Sequence, residues 1–406
     1  MIETLDDLDV RGAVVGVRVD INSPVDENGS LADDARLRAH VDTLSELLDR
    51  GGRVVVVAHQ GRPGSDDFTT LESHAGRLDE LLDFPVSYVD ATFGETALRA
   101  IEALTDGACL VLENARFYSE EYMEFEPERA AKTHLVARLS AVFDAFVNDA
   151  FAAAHRSQPS LVGFPERLPS YAGRVMETEL DVLGRIDETP EPRTYFLGGA
   201  KVSDSIDVAW SILENGLADQ VLTAGVVGNV FLIADGVDIG DESSDVIYEA
   251  GYWDEIDRAA DLLDAHGERI ALPRDVAVER DGSRYELGIN ALPPREDEAA
   301  MDIATGTLTL YERLLSESAT VVCNGPAGVY ESELFAHGTR KVYDAVTDVE
   351  VSIVGGGDTA SALRALGIEG FTHLSTGGGA ALTMLTGDEL PAIAALEDAA
   401  KRTAGD

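Results

Sequence analysis

The chain has 406 residues, 75 of them acidic and 31 basic, with a formal net charge of −44 at pH 7. One core ordinarily stops growing at roughly 250–300 residues, so this length implies two domains. The charge argues against nucleic acid or an anionic membrane as partner, while 45% hydrophobic residues supply packed cores and argue against a disordered chain.

Lysine has been nearly eliminated: only Lys132, Lys201, Lys341 and Lys401 occur. A carboxylate-rich surface stripped of lysine fits a protein that folds in molar salt, where screening shrinks to a few ångströms. Cys109 and Cys323 stand far apart, which suggests neither a disulfide framework nor a zinc site. The start, Met1 to Asp6, shows no basic stretch followed by an apolar one, and no long apolar run follows. The expectation is a soluble, cytoplasmic protein.

Short β-rich runs alternate with helical patterns along the chain. The first run is Val14 to Ile21, followed by a helix from about Asp33 to Asp49 with apolar Leu37, Val41, Leu44 and Leu48. Strands follow at Val54–Ala58, Leu110–Leu112 and Ala145–Val147. They are continuous apolar runs, as expected of parallel strands covered on both faces. Around Tyr171 to Pro192 a long helix with Met176, Leu180 and Leu183 ends in Thr189-Pro190-Glu191-Pro192. A second series then begins, with strands at Tyr195–Leu197, Gln220–Leu222, Arg269–Leu272, Thr320–Cys323, Val351–Val354 and Thr372–Leu374. Asp241–Asp245 reads as an acidic loop. The fold class is α/β, two doubly wound parallel-sheet (Rossmann-like) domains joined by an interdomain helix and hinge.

Ligands of open α/β sheets bind beyond the C-terminal ends of the strands. In the first half those ends are polar and cationic: Arg18-Val19-Asp20-Ile21-Asn22, His59-Gln60-Gly61-Arg62-Pro63, Glu113-Asn114-Ala115-Arg116-Phe117 and Asn148-Asp149-Ala150-Phe151, then His155-Arg156. Arg36 opens the first helix. Any one of these arginines could simply pair with a carboxylate, but the converging set points to an anion site, because the guanidinium fork matches phosphate and carboxylate.

The strand ends of the second half are glycine-rich: Gly198-Gly199-Ala200-Lys201, Asn324-Gly325-Pro326-Ala327-Gly328, Gly355-Gly356-Gly357-Asp358-Thr359 and Ser375-Thr376-Gly377-Gly378-Gly379. Each is expected to precede a helix, leaving free N–H groups and a positive dipole end for a polyphosphate. Any one loop alone reads as a tight turn; four together point to a nucleotide site. Asp358 supplies a hard oxygen suited to Mg²⁺. No lysine follows a glycine, so a Walker A loop is absent, and so is the G-x-G-x-x-G dinucleotide spacing.

These motifs, in this order, resemble the phosphoglycerate kinase family. Arg18-Val19-Asp20-Ile21-Asn22-Ser23-Pro24 is similar to its R-x-D-x-N-x-P signature. The resemblance continues through Asp33-Asp34-Ala35-Arg36, the strand-end motifs above, Leu272-Pro273-Arg274-Asp275 and Val329-Tyr330-Glu331, covering essentially the whole chain. It implies that 3-phosphoglycerate is held by Asp20, Ile21, Asn22, Arg36, His59, Gln60, Gly61, Arg62, Arg116 and Arg156. The nucleotide, ATP or ADP, would fall to Gly199, Ala200, Lys201, Asn324, Pro326, Val329, Glu331, Gly356, Gly357, Asp358 and Thr359, with Mg²⁺ on Asp358. Arg36, Lys201, Gly378 and Gly379 would neutralise the transferring phosphoryl group. Such a transfer needs no general base, so His59 and His155 are given substrate hydrogen bonding or packing.

The resemblance also implies a monomer whose domains close around a hinge. Residues 1–170 with a tail at 389–406 would hold 3-phosphoglycerate, and 171–388 the nucleotide. Three departures stand out. Ser205 occupies a position where many members carry a second lysine, which bears on nucleotide affinity. Asp302-Ile303-Ala304-Thr305 replaces D-I-G-P, and Ala380-Ala381-Leu382-Thr383 replaces A-S-L-E. Two other readings remain open: a two-domain kinase for another acyl phosphate, and a nucleotide-binding relative without turnover.

Overall fold

The structure is a computed structural model and describes residues 2–26 and 29–403. The chain forms two compact units, Met1–Asp181 with Glu389–Asp406, and Val182–Asp388.

In the first unit β1 (Val14–Arg18), β2 (Arg53–Val57), β3 (Val86–Tyr88), β4 (Cys109–Val111), β5 (Ala145–Asn148) and β6 (Ser170–Ala172) form a sheet in the order β3-β4-β2-β1-β5-β6. Every pairing in it is parallel. Alternate residues serve opposite faces, as strand geometry requires. Val15, Val17, Val54 and Val56 pack with Leu44 and Leu47 on one face. Val14, Val55 and Val57 pack with Phe143, Phe146 and Phe164 on the other. Each such fully buried side chain contributes about 1.5–3 kcal/mol of transfer free energy. Gly16 has no alternative in β1, because a Cβ there would strike the Phe143 ring.

The expected helix over Asp33–Asp49 is two helices, Ala35–Ala39 and Val41–Asp49, meeting at His40. The His40 N–H bonds the Leu37 carbonyl at 3.1 Å, a tighter closure than an α-turn. Its imidazole is fully engaged by the sheet rim, which fixes the break. The C-terminal helix Pro391–Thr403 packs on this same unit, its Ala392 N–H on the Ala154 carbonyl and Arg402 on Glu166 and the Pro165 carbonyl.

The second unit carries β7 (Arg193–Leu197), β8 (Gln220–Thr223), β9 (Ile270–Ala271), β10 (Asp275–Arg280), β11 (Ser283–Gly288), β12 (Asp302–Ile303), β13 (Thr320–Asn324), β14 (Val351–Gly355) and β15 (His373–Leu374). Six of them form a parallel sheet in the order β15-β14-β13-β7-β8-β9. Order reverses between β7 and β13, the switch point where such sheets open a crevice. The remaining strands make an antiparallel sheet, β11-β10-β12, absent from the sequence reading. Its hairpin turns at Asp281-Gly282, both with positive φ, a strong hairpin signal that was legible in the sequence.

Asp241–Asp245 is not a loop but the start of a helix, Asp241–Glu249. Gly240, at φ 85°, turns the chain into it, and Asp241 and Glu242 occupy the first turn, where the helix dipole favours them. The helix Arg174–Leu183 carries the boundary between the units. Among the described residues no helix is long and apolar enough to cross a membrane.

Candidate functional site

In the first unit the chain leaves β1 and β2 into a lattice of hydrogen bonds that holds the candidate residues. Gln60 is fully buried, its amide donating to the Ser23 and Asp67 carbonyls and accepting from the Ser23 N–H and the His74 ring. Asn114 donates to the Gln60 and Thr69 carbonyls and accepts from the Gln60 and Arg116 N–H groups. Asn22 accepts from the Gly61 N–H at 2.9 Å. Gly61 sits at φ 64°, and a Cβ there would meet the Asp67 carbonyl at 2.5 Å. The side chains of Ile21 and Gln60 are consumed by core and lattice, so only their backbone is available to a ligand.

The charged members are arranged differently. Arg36 donates to Asp20 at 2.6 Å, and the Asp20 carboxylate also takes the Asn22 N–H. Burial opposes ionisation of Asp20, but Arg36, then Arg18 and the Asn22 N–H, outweigh it and hold the carboxyl below its usual range. Arg18, not among the expected site residues, is buried with its guanidinium on Ser160, the Val19 carbonyl and His59 Nδ1. That bond makes Nδ1 the acceptor and leaves Nε2–H as a donor. Burial and then Arg18 hold His59 well below the usual histidine pKa, so the ring stays neutral.

Arg62, Arg116 and Arg156 have no carboxylate at ion-pair distance among the described residues. Arg116 bonds the Gly61 carbonyl at 2.8 Å and lies over the Tyr122 ring; Arg156 contacts the His155 ring. Burial, reinforced by neighbouring Arg156 and Arg18, pushes Arg116 down to about 10. Arg156 is likewise lowered by burial and then, against Asp20, by Arg62 and Arg36. Guanidinium groups so placed repel one another in the absence of an anion.

In the second unit the glycine loops surround a cavity of about 260 Å³. It is lined by Gly199, Ala200, Lys201, Asn324, Pro326, Val329, Glu331, Gly356, Asp358 and Thr359. Gly357 is the one expected nucleotide residue that stands outside this lining, at the start of the helix Gly357–Leu366. Bare backbone is obligatory here. The Gly198 N–H bonds the Asn324 carbonyl at 2.7 Å and the Gly199 N–H bonds the Pro326 carbonyl at 2.7 Å, knitting the β7 and β13 ends together. Gly356 lies at φ 99°, where a Cβ would meet Asn324 Oδ1 at 2.5 Å and Thr359 Oγ1 at 2.9 Å. Thr359 is buried, and its hydroxyl accepts the Gly325 N–H at 2.7 Å, so its first duty is to shape the loop.

Of the glycine loops, those after β7, β14 and β15 run directly into helices beginning at Val202, Gly357 and Gly378. The loop after β13 does not; irregular chain continues to Ala336. A Cβ on Gly378 would lie 3.4 Å from the Gly357 nitrogen, so the helix starts carrying Gly357, Gly378 and Gly379 converge on one point. Lys201 Nζ lies 3.3 Å from Asp358 Oδ2, with both side chains more than half exposed, a pairing that costs little to exchange for a phosphate. Ser205 is fully buried with its hydroxyl unpartnered, so this position offers no solvated cation beside Lys201.

Further lining residues escaped the sequence reading: Gly225, Val226, Ala300 and Met301. Gly225 N–H bonds the Ala327 carbonyl, and Met301 accepts the Val329 N–H at 2.9 Å. Beside Met301, Asp302 is buried and takes Arg284 at 2.7 Å and the Gly338 N–H at 2.8 Å. Burial pushes Asp302 up to about 6, against those favourable bonds. The Asp-Gly hairpin was the signal that could have located this wall of the cavity.

Asp358 is one carboxylate beside phosphate-directed backbone, and no cluster of metal-binding side chains occurs among the described residues. That donor set fits Mg²⁺, which keeps most of its waters and rides on one or two carboxylates and substrate phosphates.

The phosphoglycerate kinase family model matches residues 5–388. A phosphoglycerate kinase of Halobacterium salinarum is 64% identical over 97% of this chain and 99% of its own length. One from Natronomonas pharaonis is 60% identical over 98% and 100%. Among solved structures, the phosphoglycerate kinase of Pyrococcus horikoshii matches with a TM-score of 0.93 and 41% identity, over 98% of this chain and 99% of that one. That of Coxiella burnetii matches at 0.80 and 30%, over 98% and 99%. The chain belongs to the phosphoglycerate kinase family.

Proposed function

We propose that this protein is a phosphoglycerate kinase of glycolysis. It transfers the acyl phosphoryl group of 1,3-bisphosphoglycerate to ADP and, in reverse, the γ-phosphoryl of ATP to the carboxylate of 3-phosphoglycerate. The observation that carries the reading is the set Arg62, Arg116 and Arg156, left without a carboxylate partner among the described residues in a chain of net charge −44. Those guanidiniums take the 3-phosphate, and Asp20, Asn22 and His59 Nε2–H bond the glycerate end. The glycine-walled cavity takes ADP or ATP, with Glu331 on the ribose and Met301 and Val329 against the base.

Attacking and leaving oxygens are both anionic in this exchange, so the protein has no proton to move. Its work is charge compensation and alignment. Arg36 lies against Asp20, Lys201 exchanges Asp358 for the moving phosphoryl, and the N–H groups at Gly378 and Gly379 face the equatorial oxygens. Asp358 would hold Mg²⁺, which when bound would supply positive charge beside the nucleotide phosphates. The protein is proposed to act as a cytoplasmic, halophilic monomer.

A coupled assay of 3-phosphoglycerate with MgATP across KCl concentrations, followed in parallel by circular dichroism, tests both parts. Turnover is expected in molar KCl. Activity and fold should both be lost as KCl falls to 0.1 M, where screening lengthens to about 10 Å. No turnover in molar salt would refute the kinase reading, and full activity at 0.1 M would refute the halophilic one.

A further inference from the structure

His40 joins groups that the proposed mechanism leaves separate. It stands at the break between the helix bearing Arg36 and the helix Val41–Asp49. The residue is 3% exposed, so it meets no solvent and no substrate directly. Its Nε2 lies 3.1 Å from the Asp20 nitrogen and 3.2 Å from the Asp20 carbonyl, and its Nδ1 lies 2.7 Å from Asp149 Oδ2. In the neutral ring Nε2 accepts from the Asp20 N–H and Nδ1–H donates to Asp149. In the protonated ring Nε2–H donates to the Asp20 carbonyl instead. Either way the ring ties the Asp20 peptide to Asp149.

Asp149 is fully buried, and its other oxygen accepts the N–H groups of Val175 at 2.9 Å and Met176 at 3.4 Å. These are first-turn amides of the helix Arg174–Leu183, which have no acceptor within the helix. Asp149 is therefore the cap of the helix that carries the boundary between the units. The fit is close: a Cβ on Gly173 would collide with the Asp149 carboxylate.

We propose that His40 is a positioning residue coupling occupancy of the Asp20–Arg36 site to the N-terminus of the helix Arg174–Leu183. The link is continuous: Arg36 to the Asp20 carboxylate, the Asp20 peptide to His40, His40 to Asp149, and Asp149 to the Val175 and Met176 amides. An anion that draws on Arg36 shifts the Asp20 loop, and a buried ring without slack hands that shift to the cap. The inference rests on the proposed binding of 3-phosphoglycerate at Arg36 and Asp20.

Two substitutions cut the link on opposite sides. In His40→Asn the amide nitrogen stands where Nδ1 was and keeps Asp149, while contact with Asp20 is lost. In His40→Gln the terminal amide reaches the Asp20 peptide, while Asp149 is released. Hydrogen exchange at Val175 and Met176 is read in the full chain in molar KCl, with and without 3-phosphoglycerate, alongside steady-state kinetics. In wild type, 3-phosphoglycerate slows exchange at both amides. In His40→Asn the unliganded exchange stays near wild type but the ligand no longer changes it; in His40→Gln exchange is faster and also unresponsive.

Both variants should raise KM for 3-phosphoglycerate about tenfold, the scale of one broken buried hydrogen bond. KM for MgATP should stay unchanged, a split that general loss of packing would not produce. Persistence of the ligand effect in folded His40→Asn would overturn the coupling. So would its absence from a wild-type enzyme that turns over. A wild type that does not turn over 3-phosphoglycerate would overturn the kinase reading itself.

Discussion

The rims of the two parallel sheets are built from opposite materials. Beyond β1, β2 and β5 the chain carries long cationic side chains, and beyond β7, β13 and β14 it carries bare backbone. The first rim concentrates charge. Its guanidiniums repel one another, and a lattice centred on Gln60 and Asn114 holds their loops in place. The second uses N–H groups and helix starts, which concentrate partial charge without ionisable groups but demand that Cβ atoms be absent. Unlike an arginine, such N–H groups carry no formal charge, so they add nothing to the repulsion among cations that the first rim must hold together. The lesson is that the same strand-end position can be made anion-seeking by adding side chains or by removing them.

The sharpest test of this contrast is Lys201, the cation that breaks the rule on the glycine rim. Lys201→Ala should lower kcat by at least ~100-fold, the scale of losing one preorganised electrostatic donor. KM for 3-phosphoglycerate should move little. Ser205 is buried and cannot supply a replacement charge. Steady-state kinetics at saturating MgATP in high salt decide it, and a folded mutant keeping more than a tenth of wild-type kcat would remove Lys201 from the transfer step.

A paired experiment compares the rims directly. Arg62 is exposed and has no ion-pair partner among the described residues, so Arg62→Met should leave the melting temperature unchanged while raising KM for 3-phosphoglycerate at least about tenfold. Gly356→Ala should do the reverse of a clean deletion. Its added Cβ meets Asn324 and Thr359 at a φ of 99°, so nucleotide affinity and stability should fall together, stability by about 1–3 kcal/mol. Calorimetry with MgADP and thermal unfolding would show it. A stable Gly356→Ala with normal affinity would mean that bare backbone is not what the second rim depends on.

The smallest expected effect concerns acid. Burial pushes His74 and His155 down to about 4, and His59 also lies well below its usual value, all in the first unit. Between about 4 and 6.5 the unfolded chain takes up protons that these folded rings refuse, so their contribution to stability is lost as pH falls. For His74 alone the loss between pH 6.5 and 5.5 is about 1 kcal/mol. His74→Gln, which can still donate to Gln60, should flatten the fall of the melting temperature over that interval. An unchanged slope would show that His74 is not among the groups that refuse the proton.

Much of this molecule was legible in local pattern. The valine runs of β1 and β2, the arginines at strand ends and the glycine loops are contiguous signals, and together they carry the family resemblance. The Asp-Gly turn of the β10–β11 hairpin is an equally local signal. Other features had no local signature. His40 reads as one more polar residue in a helical pattern, and its role exists only because Asp20 and Asp149, far from it in sequence, arrive on either side of the ring. Ile21 and Gln60 lie inside a signature motif, yet the fold spends their side chains on the core and the loop lattice.

The sequence alone determined the alternation of strand and helix in both units and whether a strand end is cationic or bare, because backbone preference and side-chain chemistry act over a few residues. Only the tertiary structure decided which arginines remain unpaired, which glycines are sterically obligatory and which wall Met301 completes. Those properties depend on what the chain places opposite each residue. Parallel strands are joined by long crossovers, so that partner always comes from elsewhere in the chain.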